Sequence, residues 1–158
     1  MLGLAAQWLG VNQTQANSVA PILISEEQGR HKSTFCRMLM PPQLARYYSD
    51  NLKLTAQGNP ERLLAEMGLL NMDEFDKFGA QKMPLLKNLM QMSSLNICKA
   101  YQKNFRSLPR IASFIGTSNR TDLLCDPTGS RRFICIEAEH DIDCTGIEHS
   151  QIYAQLKE

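Results

Sequence analysis

A short apolar run, Pro21-Ile22-Leu23-Ile24, feeds the polar loop Ser25-Glu26-Glu27-Gln28-Gly29-Arg30-His31, which ends in Lys32-Ser33-Thr34 and opens a helical pattern. Strand, loop, Lys-Ser/Thr and helix in this order make the layout of a phosphate-binding loop, G-x-x-x-x-G-K-[ST]. Such a loop holds phosphates on backbone N–H groups, a lysine amine and a helix N-terminus. Two glycines of the pattern are replaced, by Glu26 and by His31. Glycine takes φ > 0 freely, whereas another residue there costs roughly 1–2 kcal/mol. If each replacement costs about 1 kcal/mol, phosphate affinity falls by about one to two orders of magnitude.

The rest of the chain alternates strand and helix patterns. Residues 2–10 read as a helix, 19–25 as a buried strand and 32–40 as a helix stopped by Pro41-Pro42. A short strand is expected over 45–49, then a helix to about Glu66, with Asn59 as N-cap and Pro60 in its first turn. Met67 to Met72 reads as a strand and 80–92 as an amphipathic helix, with Pro84 in the first turn. Residues 95–109 suit a basic hairpin, 111–117 and 132–138 further strands, and the tail beyond Gly146 a helix. This alternation predicts an α/β sandwich on a mainly parallel five-stranded sheet. The expected divisions are a lead-in over 1–18, a core over 19–138 and an acidic tail over 139–158.

At 158 residues the chain suits one domain with a sizeable core. The five cysteines lack paired spacing, which argues against a secreted disulfide framework. No apolar run reaches the roughly 20 residues of a membrane span, and the N-terminus lacks the basic flank of a signal peptide. A cytoplasmic protein without membrane partners is expected, and the abrupt start suggests a piece of a longer one. Net charge is +1, but eight basic residues and no acid lie between Lys77 and Arg120, while six acids fall between Glu137 and Glu158. The basic stretch reads either as a phosphate-facing stripe or as a solvated face.

In an open parallel sheet, ligands bind beyond the carboxyl ends of the strands. Four strand ends are expected there: the Lys32 loop, Asp73-Glu74, Thr117-Ser118-Asn119 and Ser130-Arg131-Arg132. A carboxylate pair after an apolar strand suits Mg²⁺ binding and orientation of a water, and guanidinium groups suit phosphoryl charge. Cys135, His140, Cys144 and His149 have a spacing that a zinc knuckle could use, but Cys135 falls in a strand and is expected to pack with Phe133 and Ile134. Zinc is therefore not the expected cofactor.

These segments together, Gln28-Gly29…Lys32-Ser33-Thr34-Phe35, Asp73-Glu74-Phe75-Asp76-Lys77, Phe114 to Asn119 and Asp126-Pro127-Thr128-Gly129-Ser130-Arg131-Arg132-Phe133, resemble the virulence-associated E family over about 19–138. That family comprises P-loop ATPases of phages and mobile elements, similar to superfamily 3 helicases and often fused to primase-like segments. The resemblance implies ATP and Mg²⁺ as cofactors. Gln28, Gly29, Arg30, His31, Lys32, Ser33 and Thr34 would hold the nucleotide, and Ser33 and Asp73 the metal. Glu74 would orient water, Asn119 would be sensor 1, and Arg131 or Arg132 an arginine finger on a neighbouring subunit, hence a homo-oligomer. Lys99, Lys103 and Arg106 occupy the interval of a DNA-contacting hairpin. The expected function is an ATP-hydrolysing, helicase-like domain of a replication protein. The alternative is a catalytically inactive module of the same fold that binds nucleic acid or serves assembly.

Overall fold

The computed structural model describes residues 2–10, 16–98, 105–120 and 130–156. Seven strands and five α-helices are formed by these residues: α1 (Leu2–Leu9), β1 (Ala20–Ile24), α2 (Lys32–Met38), β2 (Tyr48–Ser49), α3 (Pro60–Glu66), β3 (Leu69–Met72), α4 (Met83–Gln91), β4 (Ser94–Cys98), β5 (Phe105–Pro109), β6 (Ser113–Ser118), β7 (Phe133–Glu137) and α5 (His149–Gln155). Five strands form one sheet in the order β2-β3-β6-β1-β7, and every pairing in it is parallel. β4 and β5 pair antiparallel as a separate hairpin.

The central strands are covered on both faces, which is why they read as continuous apolar runs without alternation. All four residues of β3 and all six of β6 are buried. Their side chains divide into two cores, one per face. Ile22, Ile24, Leu70, Met72 and Phe114 pack with Leu64 of α3 and Leu86, Leu89 and Met90 of α4. Leu23, Leu69 and Ile115 pack with Leu4 of α1 and Cys36 of α2, against Trp8 and Tyr153. Helix, sheet and helix thus make three layers, the expected α/β sandwich. Gly116 of β6 lies opposite Ile22 of β1 and Met72 of β3. A Cβ there would lie 2.6 Å from Ile22 Cδ1 and 3.2 Å from the Met72 carbonyl oxygen, so only glycine fits without a shift.

Three local expectations are corrected. Ala45 to Tyr47 are not strand: Pro42–Tyr47 forms a 3-10 turn and only Tyr48–Ser49 pairs in the sheet. Pro42 presets the turn's first φ, and Leu44 N–H donates to the Pro41 carbonyl at 2.8 Å. Asn59 precedes α3 as expected but is left-handed (φ 45°) and makes no side-chain cap bond. Its carbonyl instead accepts from the N–H groups of Arg62 and Leu63. Cys135 is not packed inside the protein. β7 is an edge strand in which only Phe133 enters the core, against Phe75 at 4.9 Å, leaving Cys135 exposed. No helix among the described residues is long and apolar enough to cross a membrane.

Candidate functional site

The parallel order brings the carboxyl ends of β1, β3 and β6 side by side, and a cleft of about 340 Å³ opens there. Its lining contains Gln28, Gly29, Arg30, His31, Lys32, Ser33 and Thr34 from the loop after β1, Asp73 and Glu74 after β3, and Thr117, Ser118 and Asn119 from the end of β6. Three of the four segments expected at the rim therefore meet.

The loop turns left-handed at the position where the motif has glycine. His31 is left-handed (φ 59°, ψ 21°) immediately before α2, with its side chain exposed, and its carbonyl accepts the Phe35 N–H at 2.9 Å. Gly29 is also at positive φ, 86°. Histidine at 31 thus holds a conformation that favours glycine, at a cost in backbone strain. His31→Gly is expected to raise the unfolding free energy by about 0.5–1 kcal/mol, the left-handed strain less the greater entropy of glycine in the unfolded chain. Urea denaturation of the two proteins measures this.

Lys32 is buried, and its amine donates to Asn119 Oδ1 at 2.9 Å and to the carbonyls of Ser25 and Glu27 at 3.3 and 3.4 Å. Burial lowers its pKa, and Arg30 lowers it further, against the opposing pull of Asp73 and Asp76. Ser33 Oγ, in the first turn of α2, donates to Asp73 Oδ1 at 2.7 Å, and Thr117 Oγ1 donates to the same oxygen at 2.6 Å. Glu74 is left-handed (φ 50°, ψ 51°), its N–H donates to Thr117 Oγ1 at 3.2 Å, and its carboxylate pairs with Lys77 at 2.6 Å. A non-glycine residue in this conformation is strained, a feature that clusters at functional sites. Ser118 Oγ donates to Asp76 Oδ1 at 3.0 Å, which ties the end of β6 to the turn after β3.

Thr117, Asp76 and Lys77 carry no role in the sequence reading, although each stands inside a segment quoted there. Threonine before Ser-Asn at a strand end was the available signal. What it bonds is set by the pairing of β3 with β6, which separates Thr117 from Asp73 by one hydrogen bond across 44 residues.

Arg131 and Arg132 require a correction: they are not at the rim. They form a 3-10 turn before β7, and β7 runs parallel to β1 with Phe133 opposite Ala20 and Glu137 opposite Ile24. They therefore lie at the opposite end of the sheet from the loop, about 16 Å away at one strand length. Arg106 is exposed on β5, opposite Ile97. Lys99 and Lys103 lie outside the described residues. The Cys and His residues of the zinc spacing are dispersed: His149 Nε2 lies 2.7 Å from the Met38 carbonyl oxygen, and Cys144 Sγ faces the carbonyls of Ile142 and His31. No three His, Cys, Asp or Glu residues among those described are grouped to hold a metal.

The tail folds back onto the loop side. Asp141 approaches Arg30 at 3.5 Å, Ile142 N–H donates to the Arg30 carbonyl, and Tyr153 donates to the Leu39 carbonyl while stacking on Trp8.

No curated protein matches the chain. Solved structures do. "The apo structure of NrS-1 C terminal region (305-718)" superposes with a TM-score of 0.59 at 22% identity, covering 98% of this chain and 38% of that one. "The A form apo structure of NrS-1 C terminal region-CTR(305-718)" gives 0.57 at 22% identity, with 98% and 36% covered. At such identity the likeness is one of fold, and this chain spans under two fifths of either relative's length. The virulence-associated protein E-like domain matches residues 10–158, nearly the whole sequence, and the chain belongs to that family.

Proposed function

We propose that this domain binds ATP with Mg²⁺ and hydrolyses it, as the helicase-like motor of a DNA-replication protein. The observation that carries the reading is the convergence of Lys32, the Ser33–Asp73 pair, Glu74 and Asn119 on one cleft at the carboxyl end of a parallel sheet. Lys32 would exchange its contacts with Asn119 and the loop carbonyls for phosphate oxygens. Hydroxyl and carboxylate oxygens 2.7 Å apart are hard donors of the kind Mg²⁺ takes, so Ser33 and Asp73 fit that ion. When bound, the metal would neutralise charge on the terminal phosphates. Thr117, by donating to Asp73, keeps that carboxylate aimed at Ser33. Glu74 would accept a proton from the attacking water once its carboxylate leaves Lys77, and Asn119 would contact the terminal phosphate. Arg131 and Arg132, a strand length from the cleft of their own subunit, suit action on a neighbour's cleft, which makes the working form a homo-oligomer.

A second reading rests on a specific observation: the glutamate that would activate water is engaged by Lys77, and the loop carries Glu26 and His31 in place of glycine. In that case the domain is a catalytically inactive nucleic-acid-binding or assembly module. Calorimetry with ATP·Mg²⁺ separates the two. Heat of binding together with phosphate release supports the motor, and its absence at millimolar nucleotide overturns it.

A further inference from the structure

The cleft is lined by two cations from the loop side, Lys32 and Arg30, and one residue behind it engages both. The Glu27 carbonyl oxygen accepts from the Lys32 amine at 3.4 Å, and the Glu27 carboxylate accepts from Arg30 Nη2 at 2.7 Å. A lysine amine has three N–H donors. Asn119 Oδ1 and the carbonyls of Ser25 and Glu27 supply three acceptors, as many as the amine can use. The Ser25 hydroxyl donates to the same Glu27 carbonyl at 2.9 Å, a second hold on that peptide. Arg30 also approaches Asp141 of the tail at 3.5 Å, and its carbonyl accepts the Ile142 N–H. Its guanidinium is thus shared between a loop acid and a tail acid, while its buried Nε finds no hydrogen-bond partner among the described residues.

We propose that Glu27 is an autoinhibitory contact: in the free protein its carbonyl holds Lys32 and its carboxylate holds Arg30, and an arriving phosphate must take both cations from it. This rests on the reading of the cleft as a nucleotide site. Phosphate oxygens can replace both acceptors, and they form charge-assisted bonds with each cation where the Glu27 carbonyl offered Lys32 a neutral one. The exchange is easy on the carboxylate side. The Glu27 side chain is 73% exposed, so its ion pair is weak, and the Ile142 N–H bond to the Arg30 carbonyl can persist while the guanidinium turns. On the carbonyl side, Gly29 stands two residues on at φ 86°, with open space where a Cβ would be, and gives the turn a pivot. Glu27 does not itself line the cleft, so it sets nucleotide affinity from outside the contact surface.

Calorimetry with ATP·Mg²⁺ tests this on the wild type and Glu27→Gln, a variant that keeps the side-chain shape and removes the charge on Arg30. The variant is expected to bind about threefold to fivefold more tightly, the scale of an exposed ion pair. Glu26→Gln removes the same charge from the neighbouring exposed position and is expected to change affinity by less than about twofold, because solvent and salt screen a charge there. Equal gains in the two variants would assign the effect to net charge and overturn the contact. Unchanged or weaker binding by Glu27→Gln would make Glu27 a support of the loop and overturn the contact too, while the nucleotide reading stands on the wild-type heat. Binding by Glu27→Gln alone would uphold the contact and remove the motor reading from the wild type. If neither protein binds ATP at millimolar concentration, both readings fall.

Discussion

Lys32→Ala is expected to lower ATP affinity about 100-fold or more and to bring hydrolysis to background. Two charge-assisted hydrogen bonds to phosphate, at about 1.5–3 kcal/mol each, set that scale. In the free protein the same amine is held by Asn119 and two loop carbonyls, so it is positioned before any ligand arrives. Its burial penalises the charge that those contacts stabilise, and the two effects offset. The variant should therefore melt within a few degrees of the wild type while losing the upward shift that ATP·Mg²⁺ produces. Calorimetry and thermal melting on the same samples check both. The direction with pH follows from the lowered Lys32 pKa. As pH rises, the amine loses its proton earlier than an exposed lysine, and wild-type nucleotide affinity declines with it. Affinity that stays constant up to the ordinary lysine range would remove Lys32 from the phosphate site. A rate of hydrolysis equal to wild type in Lys32→Ala would do the same.

The second large effect is on stability. Arg110→Ala is expected to destabilise the fold by about 3–5 kcal/mol, a loss measurable by urea denaturation. Arg110 is 1% exposed, and its guanidinium forms no ion pair among the described residues. It donates instead to main-chain carbonyls: Ala112 at 2.8 Å, Asn17 at 2.7 Å, and Met90 and Met92 at the end of α4. Its guanidinium carbon lies over Phe114, 5.1 Å from the ring centroid. Burial lowers its pKa to about 10, which leaves it charged at neutral pH. One side chain thus joins the lead-in before β1, the end of α4 and the start of β6. Truncation would leave several buried carbonyls without donors and a void beside Phe114. Arg110→Lys, which keeps the charge but reaches fewer acceptors, should recover part of the loss. A change under about 1 kcal/mol for Arg110→Ala would show that water replaces the guanidinium at no cost.

Arg110 also marks the limit of reading charge along a sequence. It belongs to the run of eight basic residues between Lys77 and Arg120 that suggested a phosphate-facing stripe. In the fold one member is interior and another, Lys77, pairs with Glu74, so the run is not one surface. The same limit governs Arg131 and Arg132. Their position before a strand, not after it, sends them to the far end of a parallel sheet, and only the register of β7 against β1 reveals this.

Other features were legible in the residues themselves. Apolar runs marked β1, β3 and β6, because central parallel strands bury both faces and leave no alternation to obscure them. The Lys-Ser-Thr segment after β1 and the Asp-Glu pair after β3 were placed by strand polarity alone, since a short loop must emerge where its strand ends. The left-handed turn at residue 31 was implied by the glycine of the motif, and histidine adopts it. Local spacing decides such features because they depend on neighbours along the chain. Tertiary structure decided the rest: that Lys32 meets Asn119 across 87 residues, that Thr117 aims Asp73, and that Glu74 turns to Lys77. The first two depend on the order in which strands assemble, and the third on a backbone bond from Glu74 to Thr117 that exists only once β3 lies beside β6.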